Sequence, residues 1–239
     1  MSFFDFSNGV DYPIFLDECK AESQNRIFGS TITNYHSYVK HVTPPQRRVN
    51  WNIYESVSGN LVGAIGLSSC VLAISSRDNW IGWDKEQRLK RSNSIANNYR
   101  FCLIKKNITL ENVGTMSLKL LRQNGRIVWE RKYGDKLVLL ETFVQPKITG
   151  DDTKERNGAV YLADNWILVG KTLGNSISKA PLLLWKKEDS KRGELARNNP
   201  EEAIKKYAVG STHYNVTKSE KKLVFVKPIR KDFRKFLMK

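Results

Sequence analysis

The run Tyr99-Arg100-Phe101-Cys102-Leu103-Ile104 decides the reading of the fold, because of what comes after it. It is apolar enough for a buried strand. Beyond the polar stretch Lys105 to Asn112, the residues Val113, Met116 and Leu120 recur on one face at helical spacing. That spacing predicts a helix from about Glu111 to Lys132, closed by Gly134 and interrupted at Gly125. Lys136 to Val144 then reads as a strand, Gly158 to Asn165 as a short helix, and Trp166 to Lys171 as a further strand. Strands alternating with helices predict an α/β class, with a mixed sheet flanked by helices.

Working outward, Ile53 to Val57 and Leu61 to Leu67 flank the turn residues Ser58-Gly59-Asn60, which predicts a hairpin. Asp84 with Gln87 three residues later forms a capping box for a helix from Lys85 to about Asn97. Asp17 to Phe28 reads as a short helix closed by Gly29. Toward the other end, Leu182 to Trp185 is apolar, Asn199-Pro200-Glu201-Glu202 is a helix start, and Leu223 to Val226 is a short strand. These elements suggest a core over residues 1–178 and a basic C-terminal extension over 179–239, packed on or beside it.

Charge narrows the partners. Forty Lys or Arg against twenty-four Asp or Glu give a net +16, and residues 186–239 carry sixteen of the basic residues with seven acidic ones. A surface this positive attracts polyanions, so the expected partner is DNA rather than a membrane. No stretch is apolar enough to span a bilayer, and no charged and apolar leader is visible at the first residues. Three widely spaced cysteines, Cys19, Cys70 and Cys102, fit a reducing cytoplasm and do not suggest a metal site.

The order from Tyr99 to Thr172 resembles the second half of the GNAT acyltransferase fold. That resemblance implies acyl-CoA as cofactor, held by a loop whose backbone amides meet a pyrophosphate at a helix N-terminus. Here the loop supplies Asn107, Asn112 and Gly114, and Tyr161 falls where a tyrosine lies near the thioester. A closer resemblance rests on Asn34-Tyr35-His36-Ser37, Arg77-Asp78-Asn79-Trp80-Ile81-Gly82-Trp83, Leu140-Glu141-Thr142-Phe143-Val144 and Ala163-Asp164-Asn165-Trp166. Together these look like the DruA-like family, named for a component of the Druantia anti-phage system. The resemblance implies a DNA-linked role in phage–host conflict, with protein partners from a defence or phage system.

Several of these residues have two chemical readings. His36, beside Tyr35, suits a general base near neutral pH, or it is a hydrogen-bonded surface histidine. Trp80 and Trp83 offer stacking faces for a base with Arg77 on a phosphate, or they fill core beside an Arg77–Asp78 pair. Glu141 ends an apolar strand and must pair with a cation such as Arg77 or Arg100, act as a base, or hold a metal with Asp78 and Asp164. Tyr161 is a proton-handling residue or a core tyrosine. Arg100, Asn165, Lys171, Lys221, Lys222, Arg230 and Lys231 complete the expected nucleic-acid contacts.

Three functions are compatible with this set. The first is a GNAT-like transferase that modifies DNA bases, similar to Mom-type phage enzymes, with His36, Tyr35, Asp78, Glu141 or Tyr161 carrying the chemistry. The second is a non-catalytic DNA-binding subunit. The third is a metal-dependent nuclease.

Overall fold

A computed structural model describes residues 12–36, 47–146, 156–179, 188–199, 202–203, 206, 214–218 and 220–239. The chain divides into two units, one of Met1–Lys171 with Leu223–Lys239, the other of Thr172–Lys222.

The first unit is a seven-stranded sheet. Its strands are β1 (Ile14–Glu18), β2 (Arg48–Glu55), β3 (Leu61–Ser69), β4 (Ile95–Leu103), β5 (Leu139–Val144), β6 (Ile167–Lys171) and, late in the chain, β9 (Leu223–Pro228). The order across the sheet is β1-β2-β3-β4-β5-β9-β6. Neighbours are antiparallel except β4 and β5, which are parallel. Parallel neighbours require a crossover, and α4 (Val113–Tyr133) supplies it. This is the mixed sheet flanked by helices that the strand and helix pattern anticipates.

Each face has its own cover. Val49, Trp51, Ile53, Ala96 and Leu140 pack with Leu118, Leu121 and Trp129 of α4. On the opposite face, Phe28 and Ile32 of α1 (Glu22–Tyr35) meet Ala64 and Cys102. Farther along that face, Ile95, Leu139 and Val226 meet Ile81 of α2 (Ser75–Ile81) and Leu237. α3 (Lys85–Arg91) follows α2, and α5 (Ala159–Ala163) precedes β6.

In the second unit, β7 (Asn175–Lys179) pairs antiparallel with β8 (Tyr214–Lys218). α6 (Lys191–Asn198) begins at Ser190, whose hydroxyl accepts from the Gly193 amide at 3.1 Å. α7 (Phe233–Leu237) closes the first unit.

Three expectations are corrected, and one unassigned stretch is placed. The boundary at 178/179 fails because β9 lies hydrogen-bonded between β5 and β6. A strand with partners on both sides is core, so residues 172–222 form an insertion and the chain then returns. Asp17 to Phe28 is not one helix: β1 runs to Glu18, and α1 continues through Gly29 to Tyr35. The Asp84 helix stops at Arg91, and β4 starts at Ile95 after a 3-10 turn over Ser92–Ser94. The Arg77 stretch, unassigned from the sequence, is a helix, α2. Leu182 to Trp185 lies outside the described residues.

Candidate functional site

The sheet opens where its two parallel strands part. β4 and β5 pair only from Ile95↔Leu139 to Asn97↔Glu141, and beyond that they diverge. β4 is also irregular against β3, where Gly66 faces Arg100 while Leu67 faces Asn98. Tyr99 is the extra residue, a bulge that bends the strand. Asn98 fixes it: its Nδ2 donates to the carbonyls of Gly66 and Arg100, both at 3.0 Å.

The fork is filled by Tyr161. Its hydroxyl donates to Asn98 Oδ1 at 2.9 Å, and the Thr142 hydroxyl donates to the Asn98 carbonyl at 3.0 Å. The ring stacks on Phe225 (5.9 Å between centroids) and meets Trp166 (5.1 Å) and Phe101 (6.3 Å) edge-on. With Tyr161 8% exposed, its hydroxyl belongs to the core network.

The loop before α4 is engaged as well. Glu55, at the end of β2 and 2% exposed, accepts from the Thr109 amide at 2.8 Å and from the Thr109 hydroxyl at 2.8 Å. The Ser58 hydroxyl donates to the same carboxylate at 2.8 Å. Hydrogen bonds from the Thr109 amide, above all, hold the Glu55 carboxyl below its usual range. A carboxylate of the chain itself therefore occupies loop donors that a bound anion would need.

The expected cofactor residues have other tasks. Asn107 Nδ2 donates to the Leu61 carbonyl at 2.8 Å. Asn112 takes the left-handed conformation (φ 57°) ahead of α4, with no side-chain capping bond. Gly114 allows α4 to approach α5, since a Cβ there would lie 2.7 Å from Val160 Cγ2. The Thr109 donors of the loop and the space of the fork are thus taken by the chain's own Glu55 and Tyr161, which argues against an acyl-CoA there. Glu55 was not legible as the reason, because nothing in the sequence ties it to a loop 54 residues away.

On the opposite face, Arg77 is fully buried and all five of its N–H groups are engaged. Nε and Nη2 donate to Asp78 Oδ1 at 2.9 and 2.7 Å, and Nη1 donates to Glu141 Oε2 at 2.6 Å. The remaining donors meet the carbonyls of Val71 (2.7 Å) and Leu72 (3.1 Å). Glu141 also accepts from the Val71 amide at 2.8 Å. Asp78 accepts from Trp83 Nε1 at 2.8 Å and Arg88 Nη1 at 2.9 Å.

This constellation bears on four of the expected roles. Arg77 cannot reach a DNA phosphate, and Trp83, 7% exposed, fills core. Asp78 and Glu141 are ion-pair partners of Arg77, the core-pairing alternative of the two readings. The carboxylates of the nuclease reading do not assemble, since Arg77 bridges Asp78 and Glu141 while Asp164 binds Arg122 and, at 2.9 Å, Trp166 Nε1. Among the described residues, no group of three His, Cys, Asp or Glu side chains could hold a metal ion.

His36 stands at the C-terminal end of α1, close to Arg100 and Arg156. Burial, reinforced by the two guanidinium charges, pushes its pKa from 6.5 down to about 4. The folded protein thus holds His36 neutral where the unfolded chain would take up a proton. That contribution to stability is present above about pH 6.5 and is lost as pH falls toward 4. His36→Gln is therefore expected to flatten the fall of Tm over that interval, measured as melting temperature against pH for both proteins. Tyr35 is exposed, with Lys106 Nζ 5.6 Å above its ring.

The remaining expected DNA contacts lie at the surface. Trp80 stacks on Phe233 (5.3 Å) beneath the Arg234 guanidinium (4.6 Å), so its ring is covered by the chain itself. Arg230 pairs with Asp232 at 3.0 Å, and Lys231 is exposed. Asn165 is exposed at φ 55°, and its carbonyl accepts from Lys227 Nζ at 3.1 Å. Lys171 is exposed at the end of β6, and Lys221 and Lys222 are exposed in the second unit. Arg100 is half-buried, its Nη1 donating to the Tyr99 carbonyl at 2.8 Å. No described helix is long and apolar enough to cross a membrane.

The family described as Druantia protein DruA matches residues 9–181. Among solved structures, the chain is similar to a tandem GNAT protein from the clavulanic acid biosynthesis pathway, at 8% identity and a TM-score of 0.43, covering 91% of this chain and 99% of that one. It is also similar to a nourseothricin acetyltransferase, at 14% identity and a TM-score of 0.34, covering 80% of this chain and 72% of that one. No curated protein matches the chain.

Proposed function

Because this chain belongs to the Druantia DruA family, and so to an anti-phage system, we propose that it is the DNA-engaging component of that system, with its GNAT-like core used as a scaffold. The observation that carries the reading is the closure of the fork and its loop by the chain's own groups. Tyr161 fills the space between β4 and β5, and Glu55 holds the Thr109 donors. An acyl-CoA would have to displace a buried hydrogen-bonded tyrosine and a carboxylate with three donors. Each such group left unpaired costs about 1–3 kcal/mol.

The net charge of +16 supports a polyanionic partner, and DNA is the polyanion a phage brings into the cell. Binding of this kind is dominated by phosphate contacts and counterion release. The test is a pair of melting curves, one with a short DNA duplex and one with acetyl-CoA. The duplex is expected to raise the Tm and acetyl-CoA to leave it unchanged.

A second reading, a DNA-modifying enzyme with a different donor, is favoured by one feature. His36 lies close to Arg100 and Arg156, two cations that can hold an anionic donor, and its neutral imidazole, a weak base at its lowered pKa, serves there as a hydrogen-bonding group.

A further inference from the structure

Resting on the DNA-binding reading above, we infer that duplex DNA docks on one particular surface of the first unit, where α3 and α7 meet, and that this surface holds phosphates rather than bases. The two helices are distant in sequence and are tied together at several points. Gln87 Nε2 donates to the Met238 carbonyl at 2.9 Å, and Arg91 lies 5.0 Å over the Phe236 ring. Arg234 Nη2 donates to the Trp80 carbonyl at 2.9 Å. Beneath them, Leu237, Trp83 and Ile81 form a buried base.

The folding of α7 onto α3 joins two basic stretches. Residues 84–91 and 229–239 together carry nine Lys or Arg against three Asp or Glu. Two of the acids have local duties: Asp84 caps α3 through the Gln87 amide at 2.8 Å, and Asp232 pairs with Arg230. Lys90, Lys231, Arg234 and Lys235 are exposed, and Arg91 is half-exposed beside them. Charge complementarity therefore selects a polyanion.

The aromatic residues of this surface decide which part of the DNA it meets. Trp80, Phe233 and Phe236 are half-buried and already stacked with one another or with Arg234 and Arg91. Their role is to anchor guanidinium groups, which leaves charge rather than a ring face presented outward. A contact made through phosphates is steeply salt-dependent and nearly indifferent to sequence.

The experiment compares Lys90→Glu/Lys235→Glu with Lys119→Glu/Arg126→Glu, a pair of equal charge change on α4, using one labelled duplex at fixed low salt. A neutralised variant, Lys90→Gln/Lys231→Gln/Lys235→Gln, guards against a folding defect, and melting curves are recorded for all. Weakening of at least about tenfold in the α3–α7 variants, with the α4 pair within about threefold, supports the inference. Equal weakening in both sets, or none in the first, overturns the assigned surface and leaves DNA binding itself intact. Failure of the unaltered protein to bind duplex overturns the underlying reading as well. The same holds if it binds phosphatidylserine vesicles in place of DNA.

Discussion

Replacing Arg77 by methionine is expected to cost about 3–5 kcal/mol of folding stability, the loss associated with breaking a buried ion pair by removing one partner. The size follows from what Arg77 leaves behind. Glu141 is fully buried and would keep only the Val71 amide as a donor. Burial raises the Glu141 pKa while the adjacent Arg77 opposes that shift, so without the guanidinium the carboxyl is either neutral or an uncompensated buried charge. The carbonyls of Val71 and Leu72 lose their donors in the same substitution. Asp78 suffers less, because Trp83 and Arg88 still donate to it. Arg77→Met/Glu141→Leu should therefore recover a large part of the loss. Urea unfolding of the two single variants and the double variant measures it. A single Arg77→Met variant within about 0.5 kcal/mol of the parent, the range of ordinary surface changes, would contradict the structural role.

Tyr161→Ala is expected to cost a similar amount, about 3–5 kcal/mol, as for other large aromatic truncations in cores. The ring contacts Phe225, Trp166 and Phe101, and all three lose packing together. Tyr161→Phe keeps the ring and removes only the donor to Asn98 Oδ1, so about 1–2 kcal/mol is expected there. A tyrosine poised at an open cofactor cleft behaves differently: its removal costs little stability and its hydroxyl governs activity. Thermal or chemical unfolding of the two variants separates these cases. Losses below about 1 kcal/mol for Tyr161→Ala would mean that the fork is not a packed core.

Much of the architecture was legible from local chemistry. The capping box at Asp84 forms as expected, with the Gln87 amide donating to Asp84 at 2.8 Å and Gln87 accepting from the Asp84 amide at 3.0 Å. Gly134 ends α4 in the left-handed region at φ 75°. The hairpin of β2 and β3 turns through Ser58, Gly59 and Asn60. These features depend on neighbours within a few residues, and the sequence displays neighbours directly.

What escaped depends on distant partners. Asn97 reads as the end of the Asp84 helix, yet it and Asn98 are inside β4, where Asn98 donates to Gly66 on β3 and to Arg100 on its own strand and accepts from Tyr161 63 residues away. α2 begins after Ile74, which offers no polar capping group, so its start carries no local mark. Leu223 to Pro228 is short and preceded by lysines, and only its two sheet partners reveal it as core. The sequence named Arg77 or Arg100 as the cation for Glu141, and the fold selects Arg77, 64 residues distant. Trp80 and Trp83 likewise find ring partners within the chain, in Phe233 and Arg77, that their spacing does not announce.

The melting comparison tests the central proposal most directly: that this chain engages DNA through charge while the fork between β4 and β5 is closed to acyl-CoA. At about 100 times the Kd, a ligand of the folded state adds about 2.7 kcal/mol, enough to move a melting curve clearly. The account predicts that a short duplex raises the Tm at low salt, that the rise disappears as salt increases, and that acetyl-CoA has no effect at any salt concentration. A saturable rise with acetyl-CoA and none with duplex would contradict it.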